Sequence, residues 1–168
     1  MGDLISIRPA RRDDAAALAR LHRAFAAYYL ELAPNDFQAP ADDGLREYIA
    51  DDLEPDDDKI RVLVAESGGE VVGQVIAHLV PPYAQARYEL IPHLSETRLQ
   101  IDYLVTDEQH RRHGIATALV RAAEEWGREH GATTATTDTY ATSPMSVPFW
   151  QERMGYRTRS LHLVKQLD

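Results

Sequence analysis

The segment Arg111–Thr117, which reads RRHGIAT, contains the residue types of an anion-binding loop at the start of a helix. Gly114 has no Cβ, so the backbone can turn tightly there and come close to a ligand. The first N–H groups of the following helix lack partners inside that helix and form its positive dipole end. Such an arrangement suits a pyrophosphate. We therefore predict a phosphate-binding loop, with Arg111, Arg112 and His113 beside the amides.

Two regular elements must hold this loop in place. An apolar strand from Leu99 to Thr106 precedes it, and an amphipathic helix that ends near Gly131 follows it. The helix has apolar residues at three- and four-residue spacing, namely Ile115, Ala118, Leu119, Ala122 and Trp126. The pattern Arg-x-x-Gly-x-Ala is short, and its position between a strand and a helix makes it specific.

At Arg111, Gly114 and Ala116 the chain resembles the GNAT superfamily of CoA-dependent N-acyltransferases, whose signature is (Gln/Arg)-x-x-Gly-x-(Gly/Ala). Residues 104–110 resemble the family's strand and turn before the signature, and residues 149–156 its later aromatic-x-x-x-Gly-aromatic segment. The resemblance covers nearly the whole chain and implies one domain, residues 1–168. The implied fold is α+β, a mixed and mostly antiparallel sheet of six to seven strands with helices on both faces, splayed at the acetyl-CoA site.

The resemblance also implies which residues bind acetyl-CoA, here as a co-substrate. They are Leu104, Val105, Thr106, Arg111, Arg112, His113, Gly114, Ile115, Ala116, Thr117, Ser143 and Ser146. In the family, a backbone N–H at the end of the strand before the signature donates to the thioester oxygen, and residues 104–106 match that stretch. Ser143 and Ser146 stand where the family commonly has an Asn and a small residue. Ser143 also suits a helix cap before Pro144, and both roles are compatible.

The acceptor amine must lose a proton before it can attack. For an amine with a pKa near 10.4, pH 7 lies about three pH units below the pKa. Forming the neutral amine at pH 7 therefore costs roughly 4–5 kcal/mol. Asp102 is the first candidate base, because a carboxylate two residues before Leu104 can reach the site directly or through water. An Asp that only bonds its neighbours is the structural alternative, and Glu89, Glu96 and His78 are further candidate bases.

The family often supplies a Tyr that protonates the departing thiolate, and here the spacing departs from its pattern. Counting forward from Ser143 gives Trp150 at that position, whereas counting back from Gly155 gives Gln151. The two counts differ by one, which predicts one inserted residue, as in a helix bulge. Tyr140 is the substitute candidate acid, with a core or rim role as its structural alternative.

Composition excludes several other function classes. The 168 residues contain no Cys, which excludes disulfides, thiolate metal sites and a Cys nucleophile. A net charge of −9 argues against nucleic-acid binding and favours cationic partners. His110 and His113 lack a third ligand, so we expect no metal. With neither a secretion signal nor a membrane-length apolar run, we expect a cytoplasmic protein without a membrane partner.

Hydrophobic patterning predicts the order of the elements. They are a strand at 4–8, a helix at 11–32, a short helix at 42–53, hairpin strands at 60–65 and 71–80, an irregular stretch at 81–96, a strand at 99–106 whose apolar face carries Leu99, Ile101, Tyr103 and Val105, a parallel strand at 133–139, a helix at 143–153 and a final strand at 157–167. Residues 29–47 and 81–96 are the segments that would select the acceptor. Leu161 and Leu163 on an exposed final strand are compatible with a homodimer.

These features together predict an N-acetyltransferase. It would transfer the acetyl group of acetyl-CoA to a primary amine of a small molecule or a protein, by direct attack in a ternary complex. The alternative is a non-catalytic module that binds CoA or acyl-CoA as a sensor. A nucleotide hydrolase lacks its Gly-x-x-x-x-Gly-Lys-(Ser/Thr) loop here, and a dinucleotide oxidoreductase lacks the further glycines around Gly114.

Overall fold

The computed structural model describes residues 4–53 and 57–167. The chain divides into two compact units, one that runs to Asp138 and one that begins at Thr139.

The first unit is built on a five-stranded sheet. Its strands are β1 (Ser6–Pro9), β2 (Ile60–Ser67), β3 (Glu70–Val80), β4 (Arg98–Thr106) and β5 (Thr134–Thr137), which follow one another in that order across the sheet. The pairs from β1 to β4 are antiparallel, and β5 is parallel to β4. The predicted hairpin and the predicted parallel crossover are therefore confirmed, with five strands in place of six to seven.

Helices cover both faces of this sheet. They are α1 (Ala15–Leu32), α2 (Leu45–Asp52) and α3 (Ile115–Glu129), and a 3₁₀ turn at Arg12–Asp14 leads into α1. The core on one face joins α1 and α2 to Val62, Val64 and Val105 of the sheet. On the opposite face α3 packs so closely that a Cβ on Gly127 would lie 3.1 Å from Leu99 Cδ2.

The irregular stretch between β3 and β4 contains two short 3₁₀ helices, Ala86–Tyr88 and Pro92–Ser95. The backbone N–H of Tyr83 donates to Leu94 O at 2.8 Å and links the two ends of this stretch. It is mostly exposed, with Leu90 at 95% of its full accessibility.

The second unit contains one short helical segment. Helix α4 (Ser146–Pro148) continues directly as a π-helix over Phe149–Arg153. The predicted final strand at 157–167 is wrong, because these residues form no strand and Leu161 and Leu163 are 72% and 86% exposed. A strand needs a neighbouring strand to satisfy its backbone, and none pairs with this segment among the described residues. The homodimer expectation thus loses the strand edge on which it rested.

Candidate active site

The signature segment forms a tight loop at the start of α3. Gly114 precedes the helix with a left-handed φ of +81°, and Arg112 also has a positive φ of +65°. The loop therefore uses glycine where L side chains are strained, as predicted. The first hydrogen bond of the helix runs from Ala118 N–H to Gly114 O at 2.9 Å. In the part of the chain that the structure describes, the amides of residues 112–117 donate no hydrogen bond.

Asp107 fixes the turn that leads into this loop. Its Oδ1 accepts from Gln109 N–H at 2.9 Å and from His110 Nδ1 at 3.2 Å, while Oδ2 accepts from Arg20 of α1. Burial raises the pKa of Asp107, but these hydrogen bonds, led by that of Arg20, outweigh it and lower the pKa overall. Asp107 thus stays a carboxylate at neutral pH.

Gly73 on β3 lets the first turn of α3 sit close to the sheet. A Cβ at Gly73 would lie 3.0 Å from both Ile115 Cγ2 and Leu119 Cδ1, and 3.1 Å from Val105 O. The side chains of Ile115 and Leu119 are therefore packed against bare backbone. This packing fixes the position of the helix start and of its free amides relative to β4.

Next to the loop, one edge of β4 pairs with no strand among the described residues and is called the open edge. The last register pair between β4 and β5 is Ile101 with Thr137, whereas β4 continues to Thr106. Asp107 N–H donates to Val72 O on the β3 side, and Val105 O also lies there. Because backbone groups alternate along a strand, the N–H groups of Leu104 and Thr106 point to the opposite, open edge. Strand β5 thus ends at Thr137, and pairing along this edge of β4 stops before Leu104, the residue from which the family resemblance expects the thioester contacts.

A β-bulge at Asp102 interrupts β4. Ile76 pairs with Tyr103 and Ala77 pairs with Ile101, so Asp102 is the extra residue between two pairs. The predicted single apolar face of β4 is therefore wrong. Leu99, before the bulge, packs on α3, whereas Tyr103, after it, packs on the α1 side against Phe25. The inserted residue shifts the side-chain alternation by one position.

The side chain of Asp102 is engaged by a histidine of the neighbouring strand. His78 Nδ1 lies 2.5 Å from Asp102 Oδ2, and the two side chains are 37% and 43% exposed. The carboxylate can only accept, so His78 donates through Nδ1. Asp102, the first candidate base, is thus hydrogen-bonded to His78, which is a further candidate base.

A second polar pair lies on the same sheet face. His22 Nδ1 of α1 is 3.2 Å from the hydroxyl of Tyr103. Burial raises the pKa of the Tyr103 phenol well above its usual range, and burial likewise lowers the pKa of His22. Both groups are therefore neutral at pH 7. Sequence reasoning missed this pair, because no spacing along the chain connects residues 22 and 103.

The second unit holds the remaining predicted residues. Ser143 is buried, and its Oγ accepts from Ser146 N–H at 3.1 Å, which is the predicted capping interaction. Ser146 Oγ lies 2.5 Å from Thr139 Oγ1. Tyr140 is half-buried, and its carbonyl accepts from Ser143 N–H at 2.9 Å.

The predicted inserted residue is present as a π-turn. Met154 N–H donates to Phe149 O at 3.0 Å, a five-residue spacing that accommodates one extra residue. Trp150 is buried and Gln151 is exposed, and the Gln151 amide donates to Thr158 Oγ1. Neither side chain carries a phenol, so no tyrosine stands at the position where the family often has one.

Neither a metal site nor a membrane-spanning helix is found in the described ranges, 4–53 and 57–167. These residues hold no group of three His, Cys, Asp or Glu side chains arranged to bind a metal ion. His113 Nδ1 instead donates to His110 O at 3.3 Å. The helices in the same ranges are all too short or too polar to traverse a lipid bilayer.

Comparison with known proteins decides the family. The model of the acetyltransferase (GNAT) family matches residues 20–156. The chain belongs to this family. As a GNAT protein it shares the α+β fold of its solved neighbours. A mutant of the BH1408 protein from Bacillus halodurans has a TM-score of 0.79 at 21% identity, over 96% of this chain and 99% of that one.

Two further proteins are similar to this chain. Human N-acetyltransferase 8 is 38% identical over 94 residues, which are 56% of this GNAT chain and 37% of the human protein. The chain therefore matches little more than a third of that relative's length. An aminoglycoside N-acetyltransferase solved in complex with CoA has a TM-score of 0.69 at 16% identity, over 99% of this chain and 97% of that one.

Proposed function

We propose that this protein is an N-acetyltransferase that moves the acetyl group of acetyl-CoA to a primary amine in a ternary complex. The observation that carries the proposal is the open edge of β4 beside the free amides of residues 112–117. One feature offers donors to an extended pantetheine arm, and the other offers donors to a pyrophosphate. A GNAT family match over residues 20–156 supports the same conclusion.

The cofactor fits the residues that are present. A Cβ on Gly114 would meet no heavy atom within 4 Å, so the space on that side of Gly114 is open. We assign the pyrophosphate to the amides of residues 112–117, with Arg111, Arg112 and His113 supplying positive charge beside them. The bound acetyl-CoA supplies an activated acetyl group as a thioester.

The open edge of β4 gives the chemistry its preorganised donor. Leu104 N–H points away from β3 and is held in place by the sheet. A fixed donor directed at the thioester oxygen stabilises the negative charge that develops there during attack. No residue of the chain has to form a covalent intermediate. Val105 and Thr106 continue the same edge toward the loop.

For proton transfer we assign Asp102 to removal of the acceptor's proton, directly or through a group that it positions, and Tyr140 to the departing thiolate. Asp102 lies at the bulge, two residues before Leu104, and is partly exposed. Ser143 and Ser146 are assigned to the pantetheine arm. We expect a small-molecule or protein amine as acceptor, and the net charge of −9 favours a cationic one.

The test is a panel of amines assayed by release of free thiol from acetyl-CoA. Polyamines, amino acids, aminoglycosides and N-terminal peptides cover the amine classes, and each product is checked by mass for one added acetyl group. Turnover of at least one amine supports the proposal. Binding of acetyl-CoA without transfer to any amine would instead support the CoA-sensing module, which the missing helix tyrosine favours.

A further inference from the structure

The hydrogen bond between His78 and Asp102 joins two strands at the bulge of β4. His78 on β3 pairs in register with Gln100, and Asp102 lies two residues beyond Gln100, directly after the Ala77–Ile101 pair. Without the extra residue at 102, the side chains on one side of this position would lie on the opposite face of the sheet. The bulge thus directs the carboxylate toward His78, as bulges near active sites often redirect a side chain.

This contact fixes which ring nitrogen of a neutral His78 is basic. Nδ1 carries the proton that it donates to Asp102 Oδ2, so the lone pair is on Nε2. Nε2 of His78 therefore offers a lone pair to the acceptor ammonium, whereas Asp102 Oδ2 already accepts from His78.

The position of the pair relative to β4 suits an acceptor amine. Asp102 is two residues from Leu104, about 7 Å along an extended strand. Both side chains are more than one-third exposed, so a ligand or a water molecule can reach them. Glu96 is a weaker candidate base. It lies before the first residue of β4, far from Leu104 along the strand, and it accepts a hydrogen bond from Thr133 Oγ1.

We propose that His78 is the residue that deprotonates the acceptor, with Asp102 as its positioning residue. The N–H bond of the acceptor ammonium breaks, its electron pair stays on the amine nitrogen, and the proton bonds to Nε2, directly or through one water. The resulting imidazolium then returns its proton to solvent. This inference rests on the proposed N-acetyltransferase function and replaces direct base catalysis by Asp102.

The other titratable groups on this sheet face are few. From β4 they are Asp102 itself, Tyr103, whose phenol is bonded to His22 of α1, and Arg98, which pairs in register with Val80, two residues after His78. From β2 the residue opposite His78 is the apolar Ile60. Asp102 is therefore the charged group that the described structure places in contact with His78.

A first experiment examines the free protein and needs no activity. Long-range ¹H–¹⁵N spectra of the imidazoles report which ring nitrogen carries the proton. Wild type should show the proton of neutral His78 on Nδ1, and Asp102→Asn should move most of it to Nε2. A wild-type His78 protonated on Nε2 would overturn the proposal, even if variants at residue 78 failed to fold.

A second experiment measures kcat and KM against pH with the best amine of the panel. His78→Gln should lower kcat at pH 7 by about 10²–10⁴-fold, as loss of a general base does, while KM for acetyl-CoA stays the same. The loss should shrink toward pH 10, where the amine is neutral without help. Asp102→Asn should show a smaller loss of kcat with the same dependence on pH. Exposed His162→Gln and Asp58→Asn are the matched controls and should behave as wild type.

Two outcomes separate this inference from the proposed function. An active wild type with an unchanged pH profile in His78→Gln overturns the role of His78 and leaves the N-acetyltransferase intact. A wild type that binds acetyl-CoA and acetylates no amine overturns the proposed function and the role of His78 with it.

Discussion

Replacement of Gly114 by Trp tests the phosphate loop, and Gly131 provides a matched control at the other end of α3. The two glycines have φ of +81° and +83°, and a Cβ at either one would meet no heavy atom within 4 Å. A non-glycine residue in the left-handed region costs about 1–2 kcal/mol. At about 2–4 °C per kcal/mol for a chain of this size, both Trp variants should lose about 2–8 °C in Tm without ligand.

The two variants should differ once acetyl-CoA is added. A ligand at 100 times its Kd stabilises the folded protein by about 2.7 kcal/mol, equivalent to about 5–11 °C here. Wild type and Gly131→Trp should show this shift. Gly114→Trp should lose it, because the indole would fill the open space in front of the amides of residues 112–117.

The assay is thermal unfolding followed by fluorescence across a titration of acetyl-CoA, with NAD as a pyrophosphate control that should produce no shift. An acetyl-CoA shift that survives in Gly114→Trp would refute a phosphate site at this loop. If Gly131→Trp lost the acetyl-CoA shift in Tm to the same extent, the loss in Gly114→Trp would not be specific to the loop at residue 114.

Three further outcomes are expected. Gly73→Ala should lower the free energy of unfolding in urea by about 1–3 kcal/mol, because the new methyl group overlaps Ile115, and an unchanged value would contradict the close packing of α3. Hydrogen bonds from Arg8 lower the pKa of Asp14, so this carboxylate stabilises the fold fully above about pH 3.9, its unfolded value, and loses that contribution as pH falls through its lower folded pKa. Urea unfolding of wild type and Asp14→Asn should therefore differ at pH 7 and converge toward pH 3, and a pH-independent difference would contradict the ion pair. Tyr140→Phe should lower kcat by about 10²-fold if its phenol protonates the thiolate, and an unchanged kcat would remove that role.

Local patterns predicted most of the first unit. The helical stripe from Leu18 to Leu32 and the alternation around residues 60–80 depend on neighbours in sequence, and both elements form as expected. The loop at Gly114 was predictable for the same reason. Its conformation requires a glycine at one position, and that requirement is visible in the sequence.

The bulge at Asp102 could not be predicted from the pattern of β4. Leu99, Ile101, Tyr103 and Val105 are all apolar, so their alternation looks the same whether or not one residue is inserted. Both faces of this strand are covered by helices, and either face accepts an apolar side chain. The hydrogen bond from His78 to Asp102 depends on that bulge and was missed with it.

In the second unit, one prediction is confirmed and another is wrong. The inserted residue in 149–153 was predictable, because counts from Ser143 and from Gly155 disagree by one position. The final strand was not, because strand formation depends on a partner elsewhere in the chain, whereas residues 157–167 show only an alternating pattern. Leu161 and Leu163 illustrate a pattern without a partner.

A crystal structure with bound CoA tests the central assignment most directly. We expect the pyrophosphate oxygens within hydrogen-bonding distance, about 2.7–3.2 Å, of backbone nitrogens in residues 112–117, and the pantetheine arm along the open edge of β4 at Leu104. Phosphates bound elsewhere on the protein, or a pantetheine arm that makes no contact with β4, would contradict the account.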